Sequence, residues 1–388
     1  MSNTALLQKE FTVGVYANRG LTLVRGEDAY LVSDTGERYL DLATNYGVSI
    51  LGYGHPGLEN AILDQWRRLP TLHGSFANDV RAMASQELAL RVNPGDPGRA
   101  YWSNSGAEAI EAALKFAAMV TGKRHFVACR GAYHGKTLGA LSATWGEKYR
   151  EPFEPLLWEF AHVAYGDAAA LAAGLDERTA GVLVEPIQGE SGIVVLPAGY
   201  LRDVREACEA RGVLLILDEV QTGTGRTGRF LAAEHESVAA DVVCLGKGLA
   251  GGIPVGATVV TNAIADRITR GSHSSTFGGN PLALAGARFV LGALDHAMLA
   301  RIAMTGDAFL AALRSLDHEL IVEARGRGLM LGLAVRERRD DILRGLQRRK
   351  VLAIPAGADV VRFLPPYTIE AAHIDQAVTA LRSALRSL

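Results

Sequence analysis

The chain of 388 residues has only three cysteines, Cys129, Cys208 and Cys244, too few and too scattered for a disulfide framework or a zinc knuckle. That usage fits a reducing compartment, and no metal site is expected. Charge of one sign is also missing. Lysine and arginine number 40 against 42 acidic residues, and no long basic run offers a track for nucleic acid, so no such partner is expected. The N-terminus, MSNTALLQKEF, has no basic start followed by an apolar core, and no apolar run approaches the ~20 residues of a membrane span. These absences point to a cytoplasmic protein without membrane association. No linker, repeat or low-complexity segment divides the chain, so its domains are expected to pack closely.

What is present is ordinary globular material, 48% hydrophobic and 21% charged, long enough for a large domain and a smaller one. LTLVRGEDAYLVSDTGERYLDL reads as two extended stretches around the turn Asp34-Thr35-Gly36. From about residue 58 to 295, the apolar runs HFVAC, GVLVE, VLLILD, DVVCLG and GATVV alternate with helical stretches such as YLRDVREACEARG. Strands interleaved with helices predict an α/β fold with a mostly parallel, doubly covered sheet. A long helical pattern follows Pro281 to about residue 316, then a second α/β unit ends in a helix from Ile369. The expected division is a large domain over 45–285, and a small domain built from 1–44 and 286–388.

Ligands of open parallel sheets sit beyond the carboxyl ends of the strands. Glu185 follows GVLV, Asp218 ends VLLIL, and Lys247 follows DVVCLG. Each alone reads as a solvated group. Together, a lysine in an enclosed site becomes a nucleophile for carbonyls, and a nearby carboxylate suits a protonated ring nitrogen. That pairing is what an aldehyde cofactor such as pyridoxal phosphate requires. In SNSGAEAIEAALKFA, the residues Ser103, Asn104 and Ser105 cap a helix whose first amides are free for an anion, although an ordinary capped helix reads the same way. GAYHGKT misses the P-loop spacing by one residue, while its Tyr133 and His134 offer flat rings for a planar ligand. Gly223-x-Gly225-x-x-Gly228 spells a dinucleotide fingerprint, yet four residues separate its first glycine from the strand, so a nicotinamide site is not supported.

Across nearly the whole chain, SNSGAEAIEAALKFA, YHGKTLGALS, VEPIQGESG, LDEVQTGTGRTG, LGKGLAGGIPVGA, STFGGNP and RFLPP resemble, in order, the class III pyridoxal-phosphate aminotransferases of the acetylornithine and ornithine type. The resemblance implies fold type I, with large and small domains, and a homodimer with active sites at the subunit interface. It makes Lys247 the residue that carries the cofactor aldehyde and moves the proton, and Asp218 the partner of the pyridinium nitrogen. Gln221 would contact the ring hydroxyl and Tyr133 the ring face, with His134 and Glu185 also beside the cofactor. Ser105, Gly106 and Ala107 would hold the phosphate, joined by Thr276 of the other subunit. For substrates, Arg362 matches the arginine that binds glutamate's α-carboxylate, and Glu190 the carboxylate that pairs with it otherwise. Lys136 stands where relatives commonly carry a carboxylate-gripping arginine, Ile110 replaces an asparagine and Ser274 a glycine.

Tyr46 and the stretch LSATWGEKYREPFEPLL look more like the lysine-biosynthetic branch, whose semialdehyde is attached to the acidic carrier protein LysW, a surface that Arg150 could meet. The expected reaction passes an amino group between glutamate/2-oxoglutarate and the terminal aldehyde of an N-blocked amino-acid semialdehyde. An ornithine-type ω-aminotransferase, an aminomutase on the same fold and a catalytically silent scaffold are the rival readings.

Overall fold

The computed structural model describes residues 2–388. The apolar runs of the middle of the chain become one sheet of seven strands. In spatial order these are Arg99–Ser103, Gly256–Val260, Val242–Leu245, Leu214–Asp218, Thr179–Val184, His125–Cys129 and Glu159–Val163. Only Gly256–Val260 runs against its neighbours. The others share one direction, so their carboxyl ends lie along one edge.

Side-chain alternation along these strands builds two cores. Phe126, Leu183 and Ile216 face helix Gly106–Thr121, which packs Ile110, Leu114 and Ala117 against them. Val127, Val182, Val184, Leu215 and Leu217 face helix Tyr200–Arg211 through Leu201, Val204 and Cys208. Both faces being covered, the central strands are buried along almost their whole length, the reason they read as unbroken apolar runs.

The N-terminal stretch forms three strands where two were expected. Leu23–Glu27 and Tyr30–Ser33 are separated by Asp28 and Ala29, and Arg38–Asp41 follows the turn at Gly36. Asp28 takes a left-handed φ of 48°, which its short polar side chain tolerates and which bends the ribbon without a glycine to announce it. The C-terminal strand Val351–Leu352 joins this sheet parallel to Arg38–Asp41. A separate antiparallel sheet has the order Ile321–Arg327, Met330–Val335, Val360–Phe363, Ile354–Ala356.

The long helical pattern after Pro281 is two helices, Pro281–Ala293 and His296–Arg314, bent by 75°. Asp295 interrupts it, its carboxylate accepting from the Met298 amide at 2.8 Å as the cap of the second helix. Among the described residues no single helix is long and apolar enough to cross a membrane. Residue 285, the expected boundary, falls inside Pro281–Ala293, which packs against helices Pro56–Arg68 and Asp79–Val92. The closing helix spans Ala371–Leu385, starting two residues later than expected because Glu370 is its cap.

The glycine string after Asp218 opens no helix. It is a run of turns that leads into a single 3-10 turn, Ala232–Glu236. Gly225 and Gly228 have φ of 85° and 86°, and a Cβ on Gly228 would come within 2.8 Å of the Ala303 Cβ. These glycines seat the loop against helix His296–Arg314 and cradle no phosphate. Gly228→Ala should therefore cost about 2–4 kcal/mol in urea unfolding, the sum of backbone strain and overpacking. Gly212→Ala, at φ 62° with open space around it, should lose only about 1–2 kcal/mol.

Candidate active site

Five segments leave the common edge of the sheet. Ser105 to Ala107 follow strand Arg99–Ser103, Tyr133 and His134 follow His125–Cys129, Glu185 follows Thr179–Val184, Asp218 ends Leu214–Asp218, and Lys247 follows Val242–Leu245. Missing side chains let three of them converge. A Cβ on Gly106 would strike Val220 at 2.5 Å, one on Gly246 would reach the Gly106 Cα at 3.1 Å, and one on Gly256 would overlap the Ser105 carbonyl. The residue before Lys247 and the start of helix Gly106–Thr121 thus meet backbone to backbone, with the Val220 side chain of the Asp218 turn against both.

At that helix start, the Ser105 hydroxyl accepts from the Glu108 amide at 3.2 Å and Glu108 returns a bond to the Asn104 amide at 2.6 Å. Ser105 is therefore the N-cap, and the Glu108 carboxylate accepts from the residue before it. The amides of Gly106 and Ala107 have no partner among the described residues, so helix dipole and free donors both favour an anion there.

Asp218 is buried. Its Oδ1 accepts from the Val220 amide at 3.0 Å and its Oδ2 lies 2.7 Å from His134 Nδ1. His134 is thereby placed behind Asp218, fully enclosed with Nε2 unpartnered, and does not offer its ring beside Tyr133 as expected. Glu185 is also displaced from its expected role. Its two oxygens accept from the Tyr133 amide at 2.9 Å and the Gly189 amide at 3.2 Å, so it fixes the backbone that carries Tyr133. Burial raises the Glu185 carboxyl to about 7, with His134 opposing. The half-buried Tyr133 ring has its phenol pushed up to about 12 by burial, and meets Tyr149 edge-on at 5.7 Å.

Lys247 begins a 3-10 turn with a left-handed φ of 43°. Burial lowers its pKa, and the charges acting on it are Glu190, Asp218, Arg362 and Glu185. A lysine with a depressed pKa presents a free amine at lower pH, the form that attacks carbonyls.

Arg362, on strand Val360–Phe363, has no exposed side-chain surface. Its Nη1 bonds Glu190 Oε1 at 2.7 Å and Gln221 Oε1 at 3.3 Å, and Nη2 bonds the Pro355 carbonyl at 3.2 Å. The Tyr46 ring centroid is 5.3 Å from its Cζ. Glu190 is on a loop and 26% exposed, whereas the guanidinium it pairs with is sealed. Gly189 makes room for this arrangement, since a Cβ there would overlap Gln221 Oε1.

Lys136 is exposed, without a carboxylate within 4 Å among the described residues, its Nζ 5.5 Å from the Tyr149 ring. Thr276 and Ser274 are exposed on the loop 272–280, and Thr276 bonds none of the other site groups within this chain. Ile110 lies in the core under the sheet. Arg150 is engaged locally with Glu154 and His162.

The donor set fits pyridoxal phosphate: free helix amides for the phosphate, a buried carboxylate for the ring nitrogen, an aromatic face, and a lysine of lowered basicity. Glu219 was missed from the sequence. It follows Asp218, is sealed, and bonds the Ala233 amide at 2.9 Å and the Thr222 hydroxyl. A second carboxylate ending an apolar run was the available signal.

The aminotransferase class-III family model matches residues 15–385. The acetylornithine aminotransferase of Methanopyrus kandleri is 42% identical over 97% of both chains. A LysW-aminoadipate semialdehyde/glutamate semialdehyde transaminase of Sulfolobus acidocaldarius is 38% identical over 96% of this chain and 97% of its own. A structure of the ornithine aminotransferase of Toxoplasma gondii, with partial occupancy of PLP at its active site, superposes with a TM-score of 0.93 at 33% identity, covering 99% of this chain and 94% of the other.

Burial raises the Glu219 carboxyl to about 7. As pH climbs from the ordinary glutamate range toward 7, the unfolded chain releases this proton first, binds fewer protons than the folded one, and the folded state loses stability. Glu219→Gln should remove this penalty, so its advantage over the natural protein in urea unfolding should grow between pH 4.5 and 7.5 to about 3 kcal/mol.

Proposed function

Because the chain belongs to the class-III aminotransferases, we propose that it passes an amino group between glutamate and the terminal aldehyde of an N-blocked amino-acid semialdehyde. The observation that carries this reading is the buried Arg362 held by a partly exposed Glu190 beside Lys247. Two substrates must use one site in turn. Glutamate brings an α-carboxylate next to the reacting carbon, and a fixed guanidinium matches it in two-pronged fashion once Glu190 moves aside. The semialdehyde's reacting carbon stands at the far end of its chain with no carboxylate beside it. For that substrate Glu190 stays on Arg362 and keeps the buried charge paired.

Pyridoxal phosphate supplies an electron sink for the pair released when the substrate carbon loses its proton. Lys247 Nζ would hold the cofactor's aldehyde and, once the incoming amine has displaced it, would be the base that takes the proton from the substrate carbon. Asp218, backed by His134, pairs with the ring nitrogen so that it remains protonated. Gly106 and Ala107 amides with Ser105 take the phosphate, and Thr276 of a second copy completes it in a homodimer. Tyr133 covers the ring face and Gln221 faces the ring hydroxyl.

The blocking group meets the mouth of the site, where Lys136 and Tyr149 stand. Two ammonium groups flank Tyr149, Lys136 at 5.5 Å and Lys148 at 4.7 Å from its ring. They suit an acidic substituent, and the likeness to both acetylornithine and LysW-linked enzymes supports an N-blocked substrate of either kind.

Absorbance spectra of the purified holoenzyme test this directly. Glutamate should bleach the cofactor band and release 2-oxoglutarate; N-acetylornithine or a LysW-linked amine should do the same, and whichever stays inert excludes its branch. A protein without a cofactor band would sink the assignment. Glu190→Gln should favour glutamate, lowering its KM about 3–10-fold while slowing the half-reaction with the blocked amine by a similar factor, read by single-turnover absorbance.

A further inference from the structure

Arg226 is the second fully buried arginine, 1% exposed, and it has no carboxylate partner among the described residues. Its Nη1 donates to the carbonyls of Leu329 at 3.1 Å and Pro365 at 2.6 Å, and its Cζ lies 4.7 Å from the Tyr367 ring centroid. Its Nη2 has no partner. Its own carbonyl accepts from the Leu329 amide at 3.0 Å. An unpaired buried guanidinium is costly, and persists where its fork holds several backbone segments at once.

The segment it holds, 364–367, runs along the N-terminal part of the chain. The Leu364 amide donates to Leu42 and the Tyr367 amide to Ile50, each at 2.7 Å, while the Thr44 hydroxyl donates to the Leu364 carbonyl at 2.5 Å. Between those contacts sits an unusual turn. Thr44, Asn45, Tyr46 and Gly47 have successive φ of 42°, 52°, 63° and 88°. Three non-glycine residues in the left-handed region persist only where surroundings over-determine them. One end is fixed by Asp41, whose Oδ1 accepts from the Ala43 amide at 2.9 Å and the Thr44 amide at 3.1 Å. At the other, Gly47 faces Leu364 and Arg226: a Cβ on it would lie 3.7 Å from Leu364 Cδ1 and 3.8 Å from Arg226 Nη2. Tyr46, carried on this turn, is the ring placed against Arg362.

We infer that Arg226 is a positioning residue for carboxylate recognition: by bonding the Leu329 and Pro365 carbonyls and lying against Gly47 it keeps the left-handed turn in place and holds Tyr46 against the Arg362 guanidinium. This rests on the role proposed for Arg362. When Glu190 leaves, the fixed contacts of Arg362 are Gln221, Pro355 and the Tyr46 face, so a relaxed turn mis-aims the guanidinium when it must bind an incoming carboxylate. The blocked amine, which leaves Arg362 paired with Glu190, is less affected.

The test uses holoenzyme carrying Arg226→Met, Arg226→Lys and Gly47→Ala, with Arg362→Lys as reference. Binding of glutarate, a dicarboxylate without an amine, is measured by calorimetry, and the two half-reactions by single-turnover absorbance. Arg226→Met and Gly47→Ala should each weaken glutarate and glutamate about tenfold or more while changing the blocked-amine half-reaction less than about threefold, with Arg226→Lys recovering part of the loss. If both half-reactions and cofactor content fall in parallel, Arg226 is a plain structural support and the inference is overturned. Should Arg226→Met fail to fold, Gly47→Ala decides by the same criterion. Unchanged glutarate binding in Arg362→Lys would remove the role proposed for Arg362 and this inference with it; weakened binding there with no effect of Arg226→Met or Gly47→Ala would remove only the role of Arg226.

Discussion

A carboxylate buried at the end of a parallel strand must find donors, and the arrangement around Asp218 follows from that requirement. The Val220 amide takes one oxygen and His134 the other. His134 can stand there only because the loop after His125–Cys129 folds back over the sheet edge, and Glu185 fixes that loop by its amides. The same edge must also admit Lys247, which is why Gly106, Gly246 and Gly256 occur where three backbones touch. Satisfying one buried anion thus gathers most of the groups the chemistry needs.

The chain then uses two sealed arginines in opposite ways. Arg362 is paired with a carboxylate that is partly exposed, so its partner can be exchanged. Arg226 is bound to carbonyls of the main chain, which cannot leave. A residue type chosen for its rigid fork serves once as a receptor and once as a rivet.

Much of this was legible in the sequence. Strands covered on both faces read as apolar runs, so the large sheet and its carboxyl edge, with Lys247, Asp218 and Glu185 upon it, followed from pattern alone. Side-chain direction beyond a strand end did not, because no periodicity governs a loop. That is why His134 was expected beside the ring and lies behind Asp218, and why Glu185 serves a backbone amide. Asp28 hid a hairpin by bending the ribbon without a glycine. Asp295, the cap that breaks the long helix, stands inside an apolar helical pattern that continues through it. Arg226 carries no signal of its role in the sequence, since its carbonyl partners come from segments more than a hundred residues further along.

The weaving of the chain ends has a consequence for synthesis. Strand Arg38–Asp41 pairs with Val351–Leu352, and Thr44 and Ile50 bond to Leu364 and Tyr367. A nascent chain can lay down the seven-stranded sheet and expose Lys247 at its edge while those last strands are still inside the ribosome. Until they arrive, the N-terminal ribbon has no edge to join and the turn under Tyr46 has nothing to hold it left-handed. Lys247 is therefore set at its strand end before Arg362 is, and an interrupted translation product would carry the proposed nucleophile without the arginine proposed to select what reaches it.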